Sequence, residues 1–78
     1  MIEKQLRYFI KQGKPLKYLI NYMLGIEEHD EKNNEYHYKY DEMDALNMMI
    51  SLGYEENEVI STLEYDFGID MSEYKERK

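Results

Sequence analysis

Seventy-eight residues without a cysteine leave room for a single domain, 1–78, and one thin hydrophobic core, and they exclude a disulfide framework and a thiolate metal site. Seventeen acids against ten Lys and Arg give a formal net charge of −7, a poor footprint for a nonspecific polyanion binder. Apolar runs of about four residues fall far short of the ~20 that span a bilayer, and Ile2-Glu3-Lys4 does not open a signal peptide, so the expectation is a cytoplasmic protein with no membrane partner.

Hydrophobic spacing predicts an all-α fold of two helical hairpins. Ile2, Leu6, Phe9 and Ile10 share one stripe of a helix over 2–12, and Gly13 follows where a left-handed residue ends a helix. Pro15 suits the first position of a helix over 15–24, in which Leu16, Leu19, Ile20, Met23 and Leu24 repeat the spacing up to Gly25. Residues 27–35 hold no apolar side chain and are expected to form a solvated linker. Tyr36, Tyr38 and Tyr40 alternate at strand spacing, but a lone strand has no partner here, so an irregular aromatic segment over the helices is expected.

Asp41 caps a third helix over 42–52, with Glu42 and Asp44 in its first turn, where the macrodipole favours anions, and Gly53 after its end. Val59, Ile60, Leu63 and Phe67 make the inward stripe of a fourth helix over 56–66, stopped by Gly68. Asp70 and Glu73 open a short helical turn from Met71 to Glu76. Leu19, Ile20, Met23, Leu46, Ile50, Ile60 and Leu63 are the expected core. The halves look alike at an offset of forty, pairing Leu6 with Leu46, Gly13 with Gly53 and Ile20 with Ile60, although shared amphipathic spacing alone produces most such matches.

Charge divides along the chain. Residues 1–26 carry five cations and one acid, net +4; residues 27–70 carry fourteen acids and two lysines, net −12; the tail 71–78 is net +1. On the plainest reading the basic part neutralises some acidic surface and the excess confers solubility. On a functional reading Asp41, Glu42, Asp44, Glu55, Glu56, Glu58, Glu64 and Asp66 form a continuous negative patch that receives a partner.

No cofactor and no enzymatic centre are implied. His29, Asp30, Glu35 and His37 gather in the linker, but their spacing matches no ligand pattern, so no metal is expected either. Ala45 to Leu63 has the outline of a helix-turn-helix whose reading helix would present only acids, which phosphates repel. The basic first hairpin, 1–26, is the better nucleic-acid candidate, although direct binding stays disfavoured by the −12 segment beside it.

Tyrosines supply the remaining candidates. Tyr18 and Tyr22 lie opposite the Leu19, Ile20 and Met23 stripe of their helix, and Tyr8 lies opposite Leu6 and Phe9. Either the Tyr36–Tyr40 segment or the tail covers them, or they merely snorkel, or they serve a partner or a second copy in a homodimer.

Leu52-Gly53-Tyr54, with Val59, Ile60 and Leu63 behind it and Phe67-Gly68-Ile69 after, is similar to the first loop of ubiquitin-associated domains. That resemblance implies a three-helix protein-interaction module in which Leu52, Gly53 and Tyr54 touch the partner. Small size and a one-sided acidic surface also resemble DNA mimics, among them phage anti-CRISPR proteins. The expected function is therefore a non-enzymatic inhibitor or adaptor that occupies a nucleic-acid-binding host protein. The interaction module and a nucleic-acid-binding regulator are the alternatives.

Overall fold

The computed structural model describes residues 2–76; Met1 and the basic tail residues Arg77 and Lys78 lie outside the described residues. Helices α1 (Ile2–Lys11), α2 (Leu16–Leu24), α3 (Glu42–Ser51), α4 (Glu56–Tyr65) and α5 (Ser72–Glu76) occupy the expected places. Between α2 and α3, however, strands β1 (Glu27–Asp30) and β2 (Glu35–Tyr38) pair antiparallel. The fold is mostly helical with a β-hairpin, and the all-α expectation is corrected on that point.

The hairpin forms from a segment with no apolar residue on β1 because its turn, not its burial, specifies it. The Asp30 carboxylate accepts from the Lys32 and Asn33 backbone N–H groups at 3.0 and 3.4 Å, and Asn33 Nδ2 donates to it at 2.8 Å. Asn34 then takes a left-handed conformation, φ 54°, which asparagine tolerates better than most residues. Lys39 N donates to Ile26 O at 2.9 Å and closes the base of the ladder. Tyr36 and Tyr38 therefore do have a strand partner within the chain: β1 itself.

Those turn bonds hold the Asp30 carboxyl below its ordinary value of 3.8, the Asn33 side chain contributing most. A carboxylate depressed in the folded state adds stability that is complete above its unfolded value and is lost as pH falls through the folded one. Acidification below about pH 4 is thus expected to loosen the turn before the helices. Amide exchange at Lys32 and Asn33 should rise in that window while helical circular dichroism holds; protection unchanged down to global unfolding contradicts this.

Two helical hairpins form the body, and α2 is its centre, packed on α1, α3 and α4. Leu6 and Phe9 of α1, Leu16, Leu19, Ile20 and Met23 of α2, Ala45, Leu46 and Met49 of α3, and Val59, Ile60 and Leu63 of α4 are buried, with Met71 closing the core before α5. Every buried side chain among the described residues is apolar. Ile50, expected inside, is 38% exposed. Ala45 draws the α3 stripe toward itself, so Met49 becomes its centre and Ile50, 100° further round, falls at the edge. Ile10 is displaced likewise on α1.

Caps account for the helix ends. Asp41 and Asp44 form a reciprocal capping box: each side chain accepts from the other's backbone N–H, at 2.9 and 3.1 Å. Pro15 stands one position earlier than expected, as the extended residue before α2, with φ −72° and ψ 161°. Gly13 and Gly53 adopt positive φ, and at each the following N–H reaches back five residues: Lys14 to Phe9 O at 3.0 Å, Tyr54 to Met49 O at 3.1 Å.

Candidate functional site

The eight acids proposed as one patch divide by what their side chains do. Asp41 and Asp44 are engaged in the α3 cap. Glu56 accepts from the Tyr74 hydroxyl at 3.0 Å, and Glu64 pairs with Lys75 at 2.8 Å, so both tie α4 to α5. That contact raises the Lys75 ammonium above its ordinary value, the Glu64 hydrogen bond being the main cause. Glu42 is half-buried and meets Asp70 and Glu73 at a cleft of about 160 Å³ between the start of α3 and α5. Glu55, Glu58 and Asp66 are exposed, the first two side by side at the start of α4.

What unites them is the scarcity of cations in the chain around them. From residue 40 to residue 74 the chain has ten acids and no Lys or Arg. Negative charge thus dominates the α3–α4–α5 side, and Lys75, the cation that reaches it, is already paired.

A second surface lies on α1 and α2. Phe9, buried, anchors three tyrosines: Tyr18 and Tyr22 set their edges against it at centroid distances of 5.0 Å, and Tyr8 lies 6.3 Å away. The Tyr8 hydroxyl accepts from Gln12 at 2.9 Å. Tyr18 and Tyr22 remain 42% and 39% exposed. The Tyr36–Tyr40 segment does not bury them: Tyr36 and Tyr38 are themselves largely exposed on the hairpin, and Tyr40 joins Tyr22 along a cleft with Ile2, Gln5, Ile26 and Lys39. Lys14 Nζ stands 5.0 Å over the Tyr18 ring. The surface is therefore aromatic with a basic margin.

Sequence reasoning missed a third surface, the hairpin arm. Partners across an antiparallel pair project to one side, so His29, Tyr36, Glu27 and Tyr38 share a face, and Glu28, His37, Asp30 and Glu35 share the other. The His29 and Tyr36 rings touch with centroids 4.7 Å apart and planes tilted by 37°. The signal that could have found the arm is the Asp30-x-x-Asn33-Asn34 turn chemistry. His29, Asp30, Glu35 and His37 do not converge: among the described residues no group of three or more metal-ligating side chains is placed to hold an ion.

No family model, curated protein or solved structure matches the chain. The loop that resembles ubiquitin-associated domains, Leu52-Gly53-Tyr54, is half spent on packing, for Leu52 and Tyr54 both lie against the core. Burial pushes the Tyr54 hydroxyl above its ordinary value, and the Glu58 carboxylate adds to the rise. The helix in third place, α5, is five residues long. No described helix is long and apolar enough to cross a membrane.

Proposed function

We propose that this protein is a non-enzymatic binding protein whose α3–α4 carboxylates occupy the nucleic-acid site of another protein, in the manner of a DNA mimic. One observation carries the reading: ten acids and no Lys or Arg between residues 40 and 74, the stretch that forms α3, α4 and the start of α5. A surface that anionic has its natural complement in a strongly basic one, and the commonest strongly basic protein surfaces are those that bind phosphates. The backbone that carries these carboxylates is already ordered around two packed helices, which limits the freedom lost on binding to that of the side chains. Glu55, Glu58 and Asp66 supply the exposed charge, while the half-buried Glu42, Glu56 and Glu64 add to the negative field.

The test has two parts. Immobilised protein should retain a nucleic-acid-binding protein from lysate at low salt, release it at high salt, and lose it to added duplex DNA. The combined variant Glu55→Lys, Glu58→Lys and Asp66→Lys should keep its helical circular dichroism and retain nothing. A partner held equally well at high salt and by the reversed variant sinks the mimic, and points instead to an apolar contact at Leu52 and Tyr54.

A further inference from the structure

We propose that the acidic β-hairpin arm of one copy docks on the basic aromatic α1–α2 face of a second copy, and that the exchange is reciprocal, closing a two-fold dimer. Neither surface is the α3–α4 side invoked above, so this inference stands apart from that one.

Two observations lead to it. First, charge: residues 27–38 carry five acids against Lys32, net −4, and residues 1–26 carry net +4. Each chain holds one member of a matched pair of opposite charge at each of two places. Second, apolar surface: Tyr36 and Tyr38 on the arm are 70% and 66% exposed, on the face that also bears His29. On the body Tyr18 and Tyr22 stand exposed around Phe9, and Tyr18 with Pro15, Lys17 and Asn21 lines a largely apolar hollow of about 260 Å³. Two exposed aromatic surfaces of opposite charge on one small chain complement each other.

The chain's own arm does not fill this hollow. The arm leaves from the C-terminal end of α2, beyond Gly25, whereas Pro15 and Tyr18 stand at the N-terminal end. A two-stranded hairpin open to water on both faces is also marginal by itself. Covering one face with a second copy gives the arm the support that this fold does not provide within one chain. A polyanion is the weaker occupant: Lys14 already stands over the Tyr18 ring, where a base would stack, and a −7 chain repels phosphates at range. Reciprocity follows because each copy carries both surfaces, and a closed pair satisfies both at once.

A charge exchange measured by analytical ultracentrifugation decides the matter. The wild-type chain should sediment as a dimer at low salt, with an association constant falling roughly tenfold or more at high salt. Lys11→Glu, Lys14→Glu and Lys17→Glu together take the body segment from +4 to −2; Glu27→Lys, Glu28→Lys and Glu31→Lys together take the arm from −4 to +2. All six side chains are exposed and outside the core, so both variants should keep the wild-type helical spectrum. Each alone should be monomeric. Mixed in equal amounts they should form a one-to-one dimer, because the native pair of surfaces is then matched by the reversed pair. A monomeric wild-type chain at high concentration, dimers indifferent to either reversal, or a mixture that stays monomeric each overturns the proposal; an oligomer that lengthens with concentration overturns its two-fold closure.

Discussion

Leu63→Ala should lower the melting temperature by about 10 °C or more, and at the upper end of its cost should leave the chain unfolded at room temperature. Leu63 is fully buried on α4, and its carbonyl also accepts from Ile69 N at 3.0 Å, where the chain turns toward α5. Emptying such a site costs about 2–5 kcal/mol, while a domain of this length holds only about 4–12 kcal/mol in total. Leu19→Ala, at the equally buried centre of α2, should behave alike. Ile50→Ala is the control. With Ile50 at the edge of the α3 stripe, its truncation should cost about 1 kcal/mol or less. Thermal unfolding followed by circular dichroism gives the comparison; an Ile50 variant as damaged as the Leu63 variant would mean that the register of α3 is wrong.

Ile50 also shows where periodicity stops informing. Repeats of three and four residues located every helix of the body, because a stripe needs only approximate phase to be recognised. Choosing which member of a wide stripe faces inward depends on what lies opposite, and Ala45, small and easily overlooked, shifted that choice by about one residue step of 100°. The arm was illegible for a different reason. Strand templates look for an alternating buried face, and both faces of β1 and β2 are open, so the signal that joins the two strands was the turn, in which Asp30 serves as acceptor for backbone N–H groups rather than as a surface charge. The Tyr36-Tyr38-Tyr40 alternation did mark one strand, but its partner β1 is an acidic run without apolar residues, which reads as linker whether or not its backbone is paired.

The candidate surfaces were legible in part. Net charge by segment requires no structure, and neither does the angular position of Tyr18 and Tyr22 on α2; whether another segment covers them does, and both stay partly exposed. The use made of each acid was hidden in tertiary contacts. Glu56 and Glu64 read as free surface charge until α5 brings Tyr74 and Lys75 to them, eighteen and eleven residues away in sequence. Phe9 was read as core on α1, and that it also props two tyrosines of α2 emerges only from the crossing of the helices.

Substituting both Gly13 and Gly53 by alanine should destabilise the protein by about 2–4 kcal/mol, entirely through backbone strain. The two glycines are forty positions apart and close α1 and α3 with the same pair of hydrogen bonds: Gly13 N to Ile10 O and Lys14 N to Phe9 O, Gly53 N to Ile50 O and Tyr54 N to Met49 O, all between 2.9 and 3.1 Å. Amphipathic spacing explains why Leu6 and Leu46 or Ile20 and Ile60 correspond, since any buried hairpin needs them, but it does not require identical caps. The caps fix the entry of α2 and α4, so the two hairpins share one backbone plan with a basic aromatic surface on the first and an acidic one on the second. A Cβ added at either glycine meets nothing within 4 Å, so space is not the obstacle; φ of 82° at Gly13 and 107° at Gly53 is. Asparagine tolerates the left-handed region, so Gly13→Asn should recover most of the loss of Gly13→Ala, whereas Gly53→Asn, further from that region, should recover less. The single costs should add, because the sites share no partner. Denaturant titration of the four single variants and the alanine pair measures all of this; alanine as harmless as asparagine at both positions would show that neither helix depends on a left-handed end.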